Sequence, residues 1–138
     1  MGYSETPTDQ IIQDAARIRK LTGKPFNLNF FAHDTPTNDP EVVESTRQRL
    51  KPFYSEAGLA EIPRDVSKPL LTFTGERLET LLEIKPPIVS FHFGLPDDLA
   101  VSALKEAGCK IICSATTVSE AVTLEQSRVD VVIAQGWE

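Results

Sequence analysis

The sequence predicts an α/β fold built on a parallel sheet, and three observations lead there. From residue 86 onward, short segments that are almost wholly apolar ("PPIVSFHF", "KIICSA", "VDVVIAQ") alternate with helical stretches of about 10 residues. Strands apolar on both faces belong to parallel sheets covered by helices. The strand-helix unit recurs at about 20 residues, the only repetition in the chain, and no low-complexity segment interrupts it.

Each element follows from local chemistry. Thr6 is a cap candidate, Pro7 suits the first helical position, and "TDQIIQDAARIRKLTG" spaces Ile11, Ala15 and Ile18 on one face before Gly23 ends the helix. "PFNLNFF", residues 25–31, reads as a strand, and "AHDTPTNDP" as the loop after it. Residues 40–60 look helical, with Pro52 expected to interrupt the pattern and Gly58 near its end. "EIPRDVSKPL" reads as a loop, and "GERLETLLEI", residues 75–84, as a further helix. This middle stretch exceeds what a simple crossover needs, so it is expected to carry an inserted helix. The regular part then runs strand "PPIVSFHF", helix "PDDLAVSALKEAG", strand "KIICSA", helix "TVSEAVTLEQS" and strand "VDVVIAQ".

At 138 residues the chain suits one domain with a substantial core rather than two. Acidic residues outnumber basic ones 20 to 14, and Lys and Arg are scattered, so no footprint for nucleic acid or an anionic membrane surface is present. No apolar run approaches the roughly 20 residues that span a bilayer. The opening residues carry no secretory pattern, which makes the cytoplasm the expected compartment. Cys109 and Cys113 lie four apart in a segment read as strand, about 13 Å, beyond the roughly 7 Å that a disulfide tolerates. Buried reduced thiols are expected.

Parallel strands of this kind suit either an open doubly wound sheet or part of a closed barrel. Both place chemistry beyond the carboxyl ends of their strands, here Asn29 to His33, Ser90 to Gly94, Ser114 to Thr117 and Gln135 to Glu138. Asn29 is a polar amide in an apolar run and needs a partner if buried. In "SFHFG" the period-two rule puts Val89, Phe91 and Phe93 on one face and Ser90 and His92 on the other. His33 falls in a polar loop. Thr117 to Glu120 matches a capping box, which gives Glu120 a structural role. The helix amino terminus there is expected to open free N–H groups on the site face and favour an anion. No glycine-rich phosphate fingerprint, metal-ligand spacing or nucleophile elbow is present in the sequence.

Four segments in order, "KPFNLNFFAH", "PPIVSFHFGLP", "AGCKIICSATTVSEA" and "VDVVIAQGWE", resemble the nitronate monooxygenase family, formerly called 2-nitropropane dioxygenases. The resemblance runs from Tyr3 to Glu138. It implies a TIM-type (β/α) barrel, of which the chain is one partial-barrel domain holding about strands three to six of eight. It also implies FMN as cofactor and the oxidation of a nitronate, or of a nitroalkane after deprotonation, by molecular oxygen to a carbonyl compound and nitrite. On matching positions it implies flavin contacts from Asn29, Gln135, Gly136 and Ser114, with His92 near the substrate.

In the family, a glycine-rich flavin loop carrying the catalytic base follows the segment matching "AQG", beyond Glu138. The chain alone is therefore expected to be inactive or nearly so, and to self-associate through the open edges of its barrel segment. Two alternatives accompany this reading: a flavin-dependent enoyl-thioester reductase of the same barrel type, and a non-catalytic fragment that only self-associates.

Overall fold

The structure is a computed structural model and describes residues 2–3, 5–34, 39–63 and 72–136. Its elements run α1 (Thr8–Leu21), β1 (Asn27–Phe31), α2 (Pro40–Glu56), α3 (Gly75–Ile84), β2 (Ile88–His92), α4 (Asp98–Glu106), β3 (Lys110–Ala115), α5 (Val118–Gln126) and β4 (Val131–Ala134). They form two compact units, one of Met1–Asp34 with Leu70–Glu138 and the other of Thr35–Pro69.

In the first unit the four strands lie in sequence order, β1-β2-β3-β4, and every pair is parallel. Beyond the β1 edge, Gly2 bridges to Asn29, and the Tyr3 N–H donates to the Asn29 carbonyl at 2.8 Å. One face of the sheet supplies Leu28, Phe30, Val89, Phe91, Ile111, Cys113 and Ala115 to a core completed by Ile11 and Ala15 of α1, Leu81 and Ile84 of α3, Val101 and Leu104 of α4, and Leu124 of α5. Alternation along the strands thus sends one set of side chains to the helices and leaves the other set for a site. Both cysteines are buried and free, and burial pushes their thiols up.

The helices are tied down by charge as well as by packing. Arg19 in the last turn of α1 donates to the carbonyls of Ile84 and Lys85, at 2.5 and 3.1 Å, and so satisfies the carboxyl end of α3. Arg77 of α3 is buried, donates to the Tyr3 carbonyl, and holds its guanidinium 5.8 Å from the centroid of the Phe30 ring. Burial lowers its pKa, against the opposing pull of Glu76.

Two expectations about helices change. Thr6 is not the cap of α1: Pro7 takes the cap position with extended backbone (ψ 148°) and no side-chain cap bond, so the helix begins one residue later than expected. Pro52 does not interrupt α2, which runs unbroken to Glu56. A proline removes one intrahelical bond, and α2 absorbs that loss near its carboxyl end while the Asp39 carboxylate caps its start through the amides of Glu41 and Val42.

No residue of α2 is buried. Within the second unit, Arg47 ties the chain after α2 back to the helix by donating to the carbonyls of Ile62 and Pro63 at 3.1 and 2.6 Å. In the loop expected over residues 61–70, residues 61–63 have no regular structure and the rest lie outside the described residues, as do 35–38 of the loop after β1.

At the amino end of β4, Asp130 joins three elements. Its carboxylate accepts from Lys105 of α4 at 2.9 Å, from Lys110 of β3 at 3.1 Å and from the Ile111 amide at 2.9 Å. Burial alone would raise its pKa, but the Ile111 amide and the two lysines outweigh that and hold the carboxyl at about 2, below the ordinary 3.8. A depressed pKa contributes stability that is present above the unfolded value and disappears as pH falls through the folded one. Asp130→Asn is therefore expected to lower stability by about 1 kcal/mol at pH 7, allowing for solvent screening of a partly exposed group. In urea unfolding at a series of pH values, the gap to the parent chain should shrink below about pH 4 and close near 2; a gap independent of pH would remove Asp130 from this role. Among the described residues, no helix is long and apolar enough to cross a membrane.

Candidate functional site

The sheet face turned away from the core carries the polar residues. From β1 come Asn27, Asn29 and Phe31, from β2 Ser90 and His92, from β3 Ile112 and Ser114, and just past β4 comes Gln135. The Asn27 amide donates to Ser90 Oγ at 2.8 Å, and the Ser90 hydroxyl donates on to Asn29 Oδ1, also at 2.8 Å. Ser90 is buried, so this relay answers the question of a partner for Asn29. Asn27 Oδ1 is buried with no hydrogen-bond partner among the described residues.

One step nearer the carboxyl ends, Ser114 Oγ lies 2.7 Å from His92 Nδ1. The Gln135 N–H donates to the Ala115 carbonyl at 2.9 Å, which extends the ladder and carries Gln135 to the same edge. His92, Ser114 and Gln135 line a cavity of about 740 Å³ together with Phe93, Thr116 and Glu120. Asn29 is not among the lining residues; it stands deeper on the same face, bonded to Ser90. Gly136 is exposed beside Gln135, while Trp137 and Glu138 lie outside the described residues. His33 packs against Phe31 with ring centroids 6.4 Å apart, away from the cavity lining.

Two expectations about the site are corrected. Phe93 does not join Val89 and Phe91 on the core face: it is 67% exposed and packs edge-on against Phe31 at 4.9 Å. The strand ends at His92 and the backbone turns through a positive φ of 63° at Phe93, so alternation no longer applies. The amino terminus of α5 does not hold all its donors free for an anion. Glu120 Oε2 already accepts from the amides of Thr116 and Thr117, at 2.6 and 3.3 Å, while Thr117 Oγ1 accepts from the Glu120 amide at 3.2 Å. The capping box read from sequence is present, and it is the reason those amides are taken. The bonds from Thr116 hold the Glu120 carboxyl below its usual range.

Sequence reasoning placed Ser90 beside His92 but missed the relay through Asn27. Its only signal was the alternation in "NLN", which puts Asn27 on the face of Asn29.

A parallel sheet that carries an imidazole, hydroxyls and an amide to its carboxyl edge, over a cavity in the roughly 300–1,000 Å³ range of ligand sites, has the arrangement of a small-molecule site on an α/β scaffold. Comparison with known proteins narrows this. The family model for nitronate monooxygenase matches residues 2–138, and the chain belongs to that oxidoreductase family.

A nitronate monooxygenase of Paraburkholderia phytofirmans is 40% identical over 140 residues, covering 100% of this chain and 38% of the relative. One from Pseudomonas aeruginosa is 41% identical over 123 residues, covering 88% and 35%. The chain thus spans less than two-fifths of these relatives. Among solved structures, the nitroalkane oxidase of Streptomyces ansochromogenes superposes with a TM-score of 0.77 at 31% identity, over 98% of this chain and 38% of that one. FabK of Thermotoga maritima gives 0.60 at 21% identity, over 96% and 30%, a likeness of fold alone. With these neighbours, the four parallel strands and their helices are part of a TIM-type barrel.

Proposed function

We propose that the chain contributes one wall of the active site of an FMN-dependent nitronate monooxygenase, which oxidises nitronates or nitroalkanes with molecular oxygen to a carbonyl compound and nitrite. The observation that carries this reading is the polar face itself: in a chain of this family, Asn29, Ser114, Gln135 and His92 share one side of the sheet at or near its carboxyl ends. The chain is read as one partial-barrel domain.

The residues fit the ring portion of such a cofactor. Amide and hydroxyl groups stand beside the apolar Ile112 and Ile133 on the same face, as a flat heteroaromatic with a polar edge requires. They do not fit its phosphate: no Lys or Arg lines the cavity among the described residues, and Glu120 occupies amides at the α5 amino terminus.

FMN, when bound, supplies the electron-transfer chemistry with nitronate and oxygen. This chain's share is positional. Asn29, Gln135 and Gly136 would hold the flavin ring by hydrogen bonds, the Asn27-Ser90 relay fixes the Asn29 amide, and His92 would face the substrate. The FabK likeness supports the barrel and not a reductase, because at that identity it carries no more than the fold.

Titration of the chain with FMN, followed by flavin fluorescence, tests this reading. Saturable binding is expected, weakened about 3- to 10-fold by Asn29→Ala and by Gln135→Ala, the worth of one hydrogen bond each. Absence of binding at millimolar FMN, or binding indifferent to both substitutions, overturns it.

A further inference from the structure

His92 and Ser114 are cross-strand neighbours, one step beyond the paired Phe91 and Cys113, and both line the cavity. At 2.7 Å, Ser114 Oγ and His92 Nδ1 are within ordinary hydrogen-bond distance. Which atom donates decides what the imidazole shows to a ligand. A neutral ring carries its proton on one nitrogen only, and the other nitrogen is an acceptor.

Two observations favour one direction. Ser114 Oγ has no other hydrogen-bond partner among the described residues, so with the proton on Nδ1 the serine O–H would lose its one protein acceptor. The cavity is also lined by Asp98 and Glu120 and by no Lys or Arg among the described residues, so a negatively charged oxygen entering it finds no lysine or arginine there, and the Nε2–H of a neutral His92 is a donor it can use.

We infer that Ser114 is a positioning residue: its hydroxyl donates to Nδ1, holds His92 in the form protonated at Nε2, and so presents an N–H donor to an anionic oxygen in the cavity. Taken with the reading above, on which this step rests, that oxygen belongs to the nitro group of the nitronate. His92 then orients the substrate and stabilises its charge instead of accepting its proton, and Ser114 acts through His92 in place of touching the flavin.

The test reads the tautomer directly. The chain has two histidines, so nitrogen-15 NMR of their rings at pH 8.5, where an imidazole is ordinarily neutral, gives two spin systems, assigned by His33→Gln. The expected His92 pattern is an unprotonated Nδ1 and a protonated Nε2. It should persist in Ser114→Thr, which keeps the hydroxyl, and in Ser114→Ala both ring-nitrogen shifts should move toward the average of a freely exchanging imidazole. A proton on Nδ1 in the parent chain overturns the inference, and so do His92 shifts that Ser114→Ala leaves in place. Because this readout needs no flavin, its failure is distinct from failure of the FMN titration.

Discussion

Phe30→Ala is expected to destabilise the chain by about 3–5 kcal/mol, a large part of the roughly 5–15 kcal/mol that holds a typical domain. Phe30 is 1% exposed and stands at the centre of an aromatic cluster, with ring centroids 5.6 Å from Phe73, 6.2 Å from Tyr3 and 6.5 Å from Phe91. These partners come from the segment before α1, the segment before α3, and β2. A cavity there loosens three connections at once. The loss also removes the ring beneath Arg77, whose buried cation would then face a void. Phe30→Leu, which restores most of the volume, should cost less than about 1.5 kcal/mol. Urea unfolding distinguishes the cases by a lower midpoint at unchanged slope. A loss for alanine no greater than that for leucine would mean that the neighbouring rings collapse into the space and that the cluster is not rigid.

The parts of the fold that were legible in the sequence are those written in local chemistry. β3 was read at its observed bounds, because an apolar run bracketed by Gly108 and Thr116 has few other ways to fold. The α5 capping box was visible because it is a contact between residues three apart. Legibility stopped where a feature depends on partners distant in sequence. The Asn27-Ser90-Asn29 relay joins residues 63 and 61 positions apart and requires the β1-β2 register. Nothing in "GERLETLLEI" singles out Arg77, yet it is buried, and its guanidinium donates to the backbone carbonyl of Tyr3, 74 positions away. At Phe93 the letters continue an alternation that the backbone has abandoned. The site was therefore half visible: the residue types at the strand ends were evident, and their hydrogen-bond partners were not.

Gly94→Ala is expected to cost about 3 kcal/mol and to disturb His92, although it adds a single methyl group next to a solvent-facing loop. The turn after β2 is clamped on two sides. The Ala32 N–H donates to the His92 carbonyl at 2.9 Å, and Cys113 Sγ donates to the Gly94 carbonyl at 3.2 Å. Gly94 has φ +130°, where L residues are strained, and a Cβ there would fall 2.9 Å from the Ala32 carbonyl oxygen. Backbone cannot swing aside as a side chain can, so alanine must either pry the β1 and β2 loops apart or twist the turn that follows His92.

Gly108 separates the two costs. Its φ is +88°, but a Cβ there would meet nothing within 4 Å, so Gly108→Ala carries conformational strain alone, about 1 kcal/mol. Stability measured by urea unfolding should fall further for Gly94→Ala than for Gly108→Ala, and only the former should shift the ring signals of His92. Equal losses, with His92 unchanged, would mean that the close approach of the two loops does not hold the imidazole in place. The expected inequality would instead tie a backbone requirement in the turn to the position of the imidazole that lines the cavity.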